Sequence, residues 1–493
     1  MISRLHPTDA LAAVSGAVLV LAFAPYHVFP LAIVCLAILF GLWQHYPQRA
    51  MWQTWLFCLG QLGFGVSWLH ISFYEFSGIP LPLAVVLTAL FVMCVAACFL
   101  LAGWLVRYRA KSLVWNYVLY FPALWLSIEW FKSWFLTGFP WLTLGYSQID
   151  NVPLAGYAPL LGVYGVSAVL LITAGALAYC VDRRKPEVVV CLSVLLLWGI
   201  GWFHYHAEWT HNDGGPLSVS LIQGNMGQDQ KWLPETRIPT LKMYQQLTEA
   251  HWESDLIIWP ETAIPAMYHQ VKQYYLAPLA KKASAHHTAL IIGIPEYEDK
   301  RYYNSVVALG GDKPARFYRK IHLVPFGEFM PLQTLLAPLL SWLSIPMSNF
   351  SPGEEAQPML TVRNQPVNTT ICYEDAFGED MIRNLPAAKL LVNVSNDAWF
   401  GDSLAPHQHL QMARMRALEM GRYMVRGTNT GVSAVIGPQG EIQQALPQFK
   451  RGVLVDHAVY FRVGATPYTR WGNWGVMGLL MVFFVLHGVQ RRF

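Results

Sequence analysis

Charged residues are what this sequence has least of. Asp, Glu, Lys and Arg fill 13% of its 493 positions while 54% are hydrophobic, against roughly a quarter charged in an ordinary soluble domain. A wholly soluble chain is therefore not the first reading. The scarcity is uneven: residues 1–203 hold nine Lys/Arg and six Asp/Glu, whereas 204–470 hold 23 and 24. An apolar half precedes a globular half that is close to neutral, and so lacks the basic face a phosphate backbone requires. No nucleic-acid partner is expected. Repeats and low-complexity tracts are missing too, which argues against solenoids and disordered linkers.

Cysteine is almost missing from the globular half. Cys35, Cys58, Cys94, Cys98, Cys180 and Cys191 lie in apolar stretches, where a thiol packs as a small hydrophobe. Cys372 stands alone outside them, with no intrachain disulfide partner. It is either an inert core thiol or a reactive one. Metal-ligand spacing is lacking as well: His407 and His409 are two apart and face apart on a helix, and His286-His287 offers no site. Neither a metal nor a cofactor is expected.

What is present begins with long apolar windows, near 10–25, 29–44, 52–72, 81–105, 117–134, 158–180, 187–204 and 471–489, each of the order of the ~20 residues that cross a bilayer. They predict a polytopic α-helical membrane domain of about eight spans: seven in residues 1–204 and a C-terminal one in 471–490. The Ala22-Phe23-Ala24 triplet imitates a signal-peptide cleavage site, but further spans follow with no long soluble gap, so the first segment reads as an uncleaved span. Basic residues fall at Arg4, at Arg49, at Arg107, Arg109 and Lys111, at Arg183, Arg184 and Lys185, and at Arg491 and Arg492. By the positive-inside rule these are cytoplasmic, which puts both termini inside and the 216–465 domain across the membrane, on the periplasmic side in a bacterium. Lys132 breaks the pattern. With Glu129 it sits at the far end of the fifth span, where a buried ion pair or a lipid headgroup contact accounts for it.

The globular half reads as α/β. Strand-like runs recur at 217–222, 256–259, 289–294, 305–309, 367–371, 389–394 and 432–436, and several are nearly continuous in Val, Ile and Leu, as strands covered on both faces must be. Helix-like stretches lie at 239–252, 270–285, 375–385 and 405–423. Glycine turns at Gly310-Gly311 and Gly437-Pro438-Gln439-Gly440 add hairpins, so two stacked sheets between helices, or one sheet with antiparallel members, are expected. The oddly apolar segment 325–353 is either a lid on the bilayer or a helix in the domain's own core.

Three chemically able residues fall at strand ends. Glu261 follows the run Leu256–Trp259, Lys320 ends a hairpin, and Cys372 stands at a strand-to-helix junction, where ligand sites of α/β sheets collect. A helix starting after Cys372, with Lys320 nearby, is expected to favour the thiolate, and Lys320 with the Tyr373 N–H to stabilise an oxyanion. Glu261 then serves as base. Asn304 is either a turn-capping residue or one that orients a site group.

Trp259-Pro260-Glu261, Arg319-Lys320-Ile321-His322-Leu323-Val324-Pro325-Phe326-Gly327-Glu328 and Ile371-Cys372-Tyr373-Glu374 together resemble the Glu-Lys-Cys pattern of the nitrilase superfamily. With apolar spans on both sides, the whole chain resembles the apolipoprotein N-acyltransferases. The resemblance implies an αββα sandwich in which Cys372 takes an acyl chain from a phospholipid donor, chiefly phosphatidylethanolamine, as a thioester. The acceptor it implies is the N-terminal amine of a diacylated apolipoprotein. It also implies Glu261 as general base, Lys320 as stabiliser of tetrahedral intermediates, Glu328 and Glu374 as supporting acids, and Trp232, Tyr373, Trp399 and Phe400 as aromatic neighbours of the site. Lys132 stands where arginine is expected, and Lys gives a phosphate no bidentate fork. The rival readings are a membrane-tethered amidohydrolase using the same three residues, which the greasy 325–353 segment disfavours, and a non-enzymatic scaffold or transporter, which the near absence of charge in the spans disfavours.

Overall fold

Small residues decide how the first helices meet. In the computed structural model, which describes residues 6–76, 78–310, 315–329 and 349–490, Pro7–Leu19 and Ala50–Gly65 pack backbone to backbone. A methyl group on Gly16 would overlap the Phe57 carbonyl, and one on Gly60 the Ala13 carbonyl. Close approach through glycine is how helices associate where surrounding lipid is as apolar as their side chains.

These helices belong to a helical unit of residues 1–70, 82–208 and 466–493. Three of its helices are long and apolar enough to cross a bilayer, Leu81–Tyr108, Ala158–Arg183 and Val188–Tyr205. A fourth is added if the bent pair Ala50–Gly65 and Leu69–Phe76 is one span, while Pro7–Ala22, Pro30–His45 and Trp474–Val489 are shorter apolar helices. Only 11% of the Val188–Tyr205 window is buried within the protein, with Val189, Leu192, Leu195, Leu196 and Phe203 all well exposed. So much uncovered apolar surface fits a membrane protein.

The second unit comprises residues 71–81 and 209–465. Two six-stranded sheets form its middle. The first runs Gly452–Val459, Leu217–Gln223, Leu256–Trp259, Ala289–Glu298, Arg301–Leu309, Arg316–Arg319; the second runs Ile442–Leu446, Ser433–Ile436, Met424–Thr428, Leu390–Ser395, Gln365–Ile371, Leu360–Val362. In each sheet three central strands are parallel and the outer ones antiparallel. Helices cover the outer faces: Leu241 and Tyr244 of Pro234–Glu249, and Leu279 and Ala283 of Ala277–Ala285, pack on Ile257, Trp259 and Ile292. On the other side Leu410, Ala413 and Ala417 of Ala405–Met420 pack on Leu391 and Met424. The inner faces meet so closely that a Cβ on Gly427 would stand 3.0 Å from Ile258 Cγ2. The order is helix, sheet, sheet, helix, the arrangement of a nitrilase fold.

One expected element is broken up. The sequence predicts one helix over 375–385, but the chain forms three short pieces instead: a five-residue 3-10 turn, Cys372–Ala376, a short helix Gly378–Met381 and a 3-10 turn Ile382–Asn384. The Glu374 side chain folds back onto the Ile371 N–H at 2.7 Å, and Cys372 takes φ +52°, in the left-handed region rather than the right-handed helical one. Of the segment 325–353, residues 330–348 lie outside the described residues, and the lid and core-helix readings with them.

Candidate active site

Glu261, Lys320 and Cys372 come from three strand ends, as their places in the sequence predict, and converge. Glu261 stands two residues beyond Leu256–Trp259, Lys320 directly after Arg316–Arg319, and Cys372 directly after Gln365–Ile371; all three side chains are buried. Lys320 Nζ donates to Glu328 at 2.9 Å (Oε1) and 2.8 Å (Oε2) and lies 3.8 Å from Glu261 Oε1. Asn304, in mid-strand, donates its amide to both acids, 2.6 Å to Glu261 Oε1 and 2.7 Å to Glu328 Oε1. Burial by itself penalises the Lys320 ammonium, yet Glu328 first and then Glu261 hold its pKa well above the ordinary value. It stays charged.

Glu374 accepts four hydrogen bonds: from Ile371 N–H (2.7 Å) and the Tyr318 hydroxyl (2.9 Å) at Oε2, and from Ile321 N–H (2.7 Å) and His322 N–H (3.1 Å) at Oε1. It ties the turn bearing the thiol to the loop bearing the lysine. Burial raises its pKa to about 7, against the pull of Lys320 and those N–H groups. Tyr373 packs edge-on against Phe377, ring centres 5.0 Å apart.

The thiol itself corrects an expectation. A lowered Cys372 pKa is predicted from a following helix and a nearby lysine, but only a 3-10 turn and a four-residue helix follow, and burial, then Glu261, push the thiol well above its ordinary value despite Lys320. In the resting site Cys372 is a thiol, so acting as a nucleophile would require a base to take its proton. Glu261 Oε2 is buried and accepts no hydrogen bond among the described residues, which leaves one oxygen of that carboxylate open. The positive φ at Cys372 is of the kind that tertiary structure must hold in place. Its carbonyl is held by Asn393 Nδ2 at 3.2 Å and His409 Nε2 at 3.3 Å.

Behind that carbonyl lies a buried network that the sequence did not suggest. His409, dismissed above on helical spacing, bridges Asp375 (2.8 Å) and Asp397 (3.0 Å), and Arg426 pairs with the same two acids at 2.8 and 3.2 Å. Burial and Arg426 lower the His409 pKa, but Asp375 and Asp397 together raise it to about 9. The imidazolium and guanidinium therefore balance two carboxylates, and Arg426 Nη2 is held 2.8 Å from His409 Nδ1 by the Asp397 they share. The donor atoms of Cys372, Asp397 and His409 lie within 4.8 Å of one another, but both ring nitrogens of His409 face carboxylates already. The available signal was Arg426 itself, a charge inside an otherwise buried strand, which demands partners.

The remaining predicted residues are placed as follows. Trp399 and Phe400 are half-buried in the turn Asp397–Phe400, where the Trp399 carbonyl accepts from Ser72 Oγ at 2.6 Å and its ring meets Phe76. Beside this turn a cavity of about 670 Å³ is lined by Tyr74, Phe76, Asn225, Ala398, Gly401 and Phe449, among others. Trp232 is half-buried and follows Lys231, which the sequence reading passed over. Lys132 belongs to the helical unit, where it is buried and donates to the Trp141 carbonyl at 2.6 Å.

A family model described as the apolipoprotein N-acyltransferase N-terminal domain matches residues 15–176, and one described as carbon-nitrogen hydrolase matches 218–468, half of the chain. Apolipoprotein N-acyltransferase from Methylococcus capsulatus is 46% identical over 98% of this chain and 96% of its own length. The chain belongs to the apolipoprotein N-acyltransferases. Relatives of that family from Nitrosomonas europaea and Coxiella burnetii are 42% and 39% identical, covering 95% and 97% of this chain and 95% and 99% of theirs. Among solved structures, the carbon-nitrogen hydrolase superfamily protein XC1258 of Xanthomonas campestris covers 50% of this chain and 91% of its own, at 19% identity and TM-score 0.38. The family makes the protein an acyltransferase enzyme of lipoprotein maturation, with its nitrilase-fold domain carrying the Glu261, Lys320 and Cys372 cluster.

Proposed function

We propose that the protein moves a fatty acyl chain from a phospholipid of the phosphatidylethanolamine class, through a thioester on Cys372, to the N-terminal amine of an S-diacylglyceryl-cysteine lipoprotein. The observation that carries this reading is the open, buried Oε2 of Glu261 in the same cluster as a neutral thiol. Glu261 takes the thiol proton as Cys372 Sγ bonds to the ester carbonyl carbon. Lys320, with the Tyr373 N–H, stabilises the oxyanion. The ester C–O bond breaks, the lysophospholipid alkoxide takes the proton from Glu261, and the thioester remains. The acceptor amine then adds to the thioester and gives up a proton to Glu261; the C–S bond breaks, and the thiolate is reprotonated.

Glu328 and Glu374 keep Lys320 and the thiol-bearing turn in register, and Asn304 orients Glu261. Trp232, Trp399 and Phe400 line the approach of acyl chain and acceptor. We assign Lys132 to anchoring its aromatic loop rather than to a headgroup, since its ammonium is buried on the Trp141 carbonyl. An eight-span topology in the bacterial inner membrane, with residues 216–465 on the periplasmic side, agrees with the alternation of basic loops.

The test is to incubate the purified protein with phosphatidylethanolamine alone and measure intact mass, with Cys372→Ala as control. A hydroxylamine-labile acyl adduct on Cys372, discharged by a diacylated lipopeptide that gains one acyl chain, is expected. A folded protein that forms no adduct rules the thioester route out.

A further inference from the structure

One buried cation has no part in the chemistry above. Lys231 closes the short helix Gln228–Lys231 and is 3% exposed; its ammonium donates to the main-chain carbonyl of Glu261 at 3.3 Å, its one side-chain hydrogen bond among the described residues. An ammonium has three donors, and burial disfavours its charge. Holding one carbonyl does not require a buried charge.

Charge balance supplies the reason. Glu261 is faced by Lys320, Asn304, Lys231 and the Cys372 thiol, with Glu328 behind the first two. Lys320 sits closer to Glu328, at 2.8 Å, than to Glu261, at 3.8 Å. A carboxylate that is to act as a base gains from a second cation beside it, and the buried Lys231 ammonium, on the Glu261 main chain, is that cation. We propose that Lys231 is a positioning residue for Glu261, holding its backbone and keeping its carboxylate anionic so that Oε2 is ready for the thiol proton. This rests on the reading of Glu261 as base. Burial lowers the lysine's pKa to about 8 while Glu261 pulls it back up, so the ammonium is charged at neutral pH.

The test follows thioester formation from phosphatidylethanolamine, and separately Cys372 alkylation by iodoacetamide, from pH 5 to 9 in the full-length protein, Lys231→Met and Lys231→Arg. In Lys231→Met the acid limb of both profiles is expected to move up by about one to two pH units, with most of the rate recovered at pH 8. Lys231→Arg is expected to keep the limb in place. The thermal unfolding midpoint of Lys231→Met is expected to hold or rise, because an apolar side chain of similar volume replaces a buried charge. An acid limb that stays put in Lys231→Met overturns the inference, as does a uniform loss at every pH with a lowered midpoint, which marks a structural role. The alkylation profile needs no lipid, so it decides the inference even if the parent protein forms no thioester, the result that sinks the acyl-transfer reading instead.

Discussion

Asn304 holds Glu261 by one oxygen: its amide nitrogen lies 2.6 Å from Oε1, while Oε2 is buried and, among the described residues, open. The same amide nitrogen reaches Glu328 at 2.7 Å, so one side chain in mid-strand spaces the two acids around Lys320. Removing it should let Glu261 swing toward Lys320 and away from the thiol. Asn304→Ala is expected to slow thioester formation by about 10- to 100-fold, read by single-turnover intact mass, and Asn304→Asp further still, since it adds a carboxylate between two others. A rate in Asn304→Ala equal to the parent's would show that Asn304 does not orient the base.

Burial of the Cys372 thiol makes a prediction that needs no substrate. With its pKa raised by burial and by Glu261, Cys372 should be alkylated by iodoacetamide at pH 7 at least about tenfold more slowly than free cysteine, because the thiolate is the reactive form. Peptide-level mass spectrometry separates it from the cysteines of the apolar helices. Fast labelling at pH 6 would mean a thiolate at rest, and Glu261 would lose its role in the first proton transfer.

Glu374 presents acceptors to four donors. In Glu374→Gln one oxygen becomes an NH2 that faces N–H and O–H donors, leaving buried groups unpaired at a cost of about 2–4 kcal/mol. A lower thermal unfolding midpoint and a loss of thioester formation are both expected, because the thiol turn and the lysine loop lose their tie. If the midpoint is unmoved, the four contacts do not carry that load.

His409 gives the stability a definite pH slope. Its folded pKa, about 9, lies above the ordinary 6.5. The stabilisation is therefore fully present below the ordinary value and is lost as pH rises through about 9. The catalytic unit is expected to weaken between pH 7 and 10, and His409→Gln to be less stable at pH 7 with that slope flattened. Unfolding midpoints across the range, by near-ultraviolet circular dichroism, give the answer; an unchanged slope in the variant would assign it to other groups.

Much of the site was legible because it lies where backbone pattern and chemistry coincide. Runs such as Leu256–Trp259 and 289–294 are apolar throughout because sheets buried on both faces leave no polar side, and a reactive residue at or just past the end of such a run is conspicuous. Glu261, just past Leu256–Trp259, and Cys372, at the end of Gln365–Ile371, stand out as chemically able groups at strand ends, whereas Lys320 follows the charged run Arg316–Arg319 and is legible from its hairpin end and the Arg319–Glu328 motif. The strands Arg316–Arg319, Leu360–Val362, Met424–Thr428, Ile442–Leu446 and Gly452–Val459 did not, being short, edge-placed or interrupted by charge. Lys231 escaped because nothing in the run Gln228-Asp229-Gln230-Lys231 distinguishes it from an exposed polar turn.

By itself the sequence determined the division into an apolar helical part and an α/β part, where along the chain most of the central strands lie, and the chemical type of the three groups at strand ends. Those follow from local patterns of burial that are periodic along the chain. Only the tertiary structure decided which oxygen of Glu261 is open among the described residues, that the thiol is protonated at rest, and that His409 and Arg426 brace the Cys372 backbone. Such properties depend on desolvation and on charges brought within a few ångströms from residues as far apart in the chain as Cys372 and His409, and no local pattern encodes that distance.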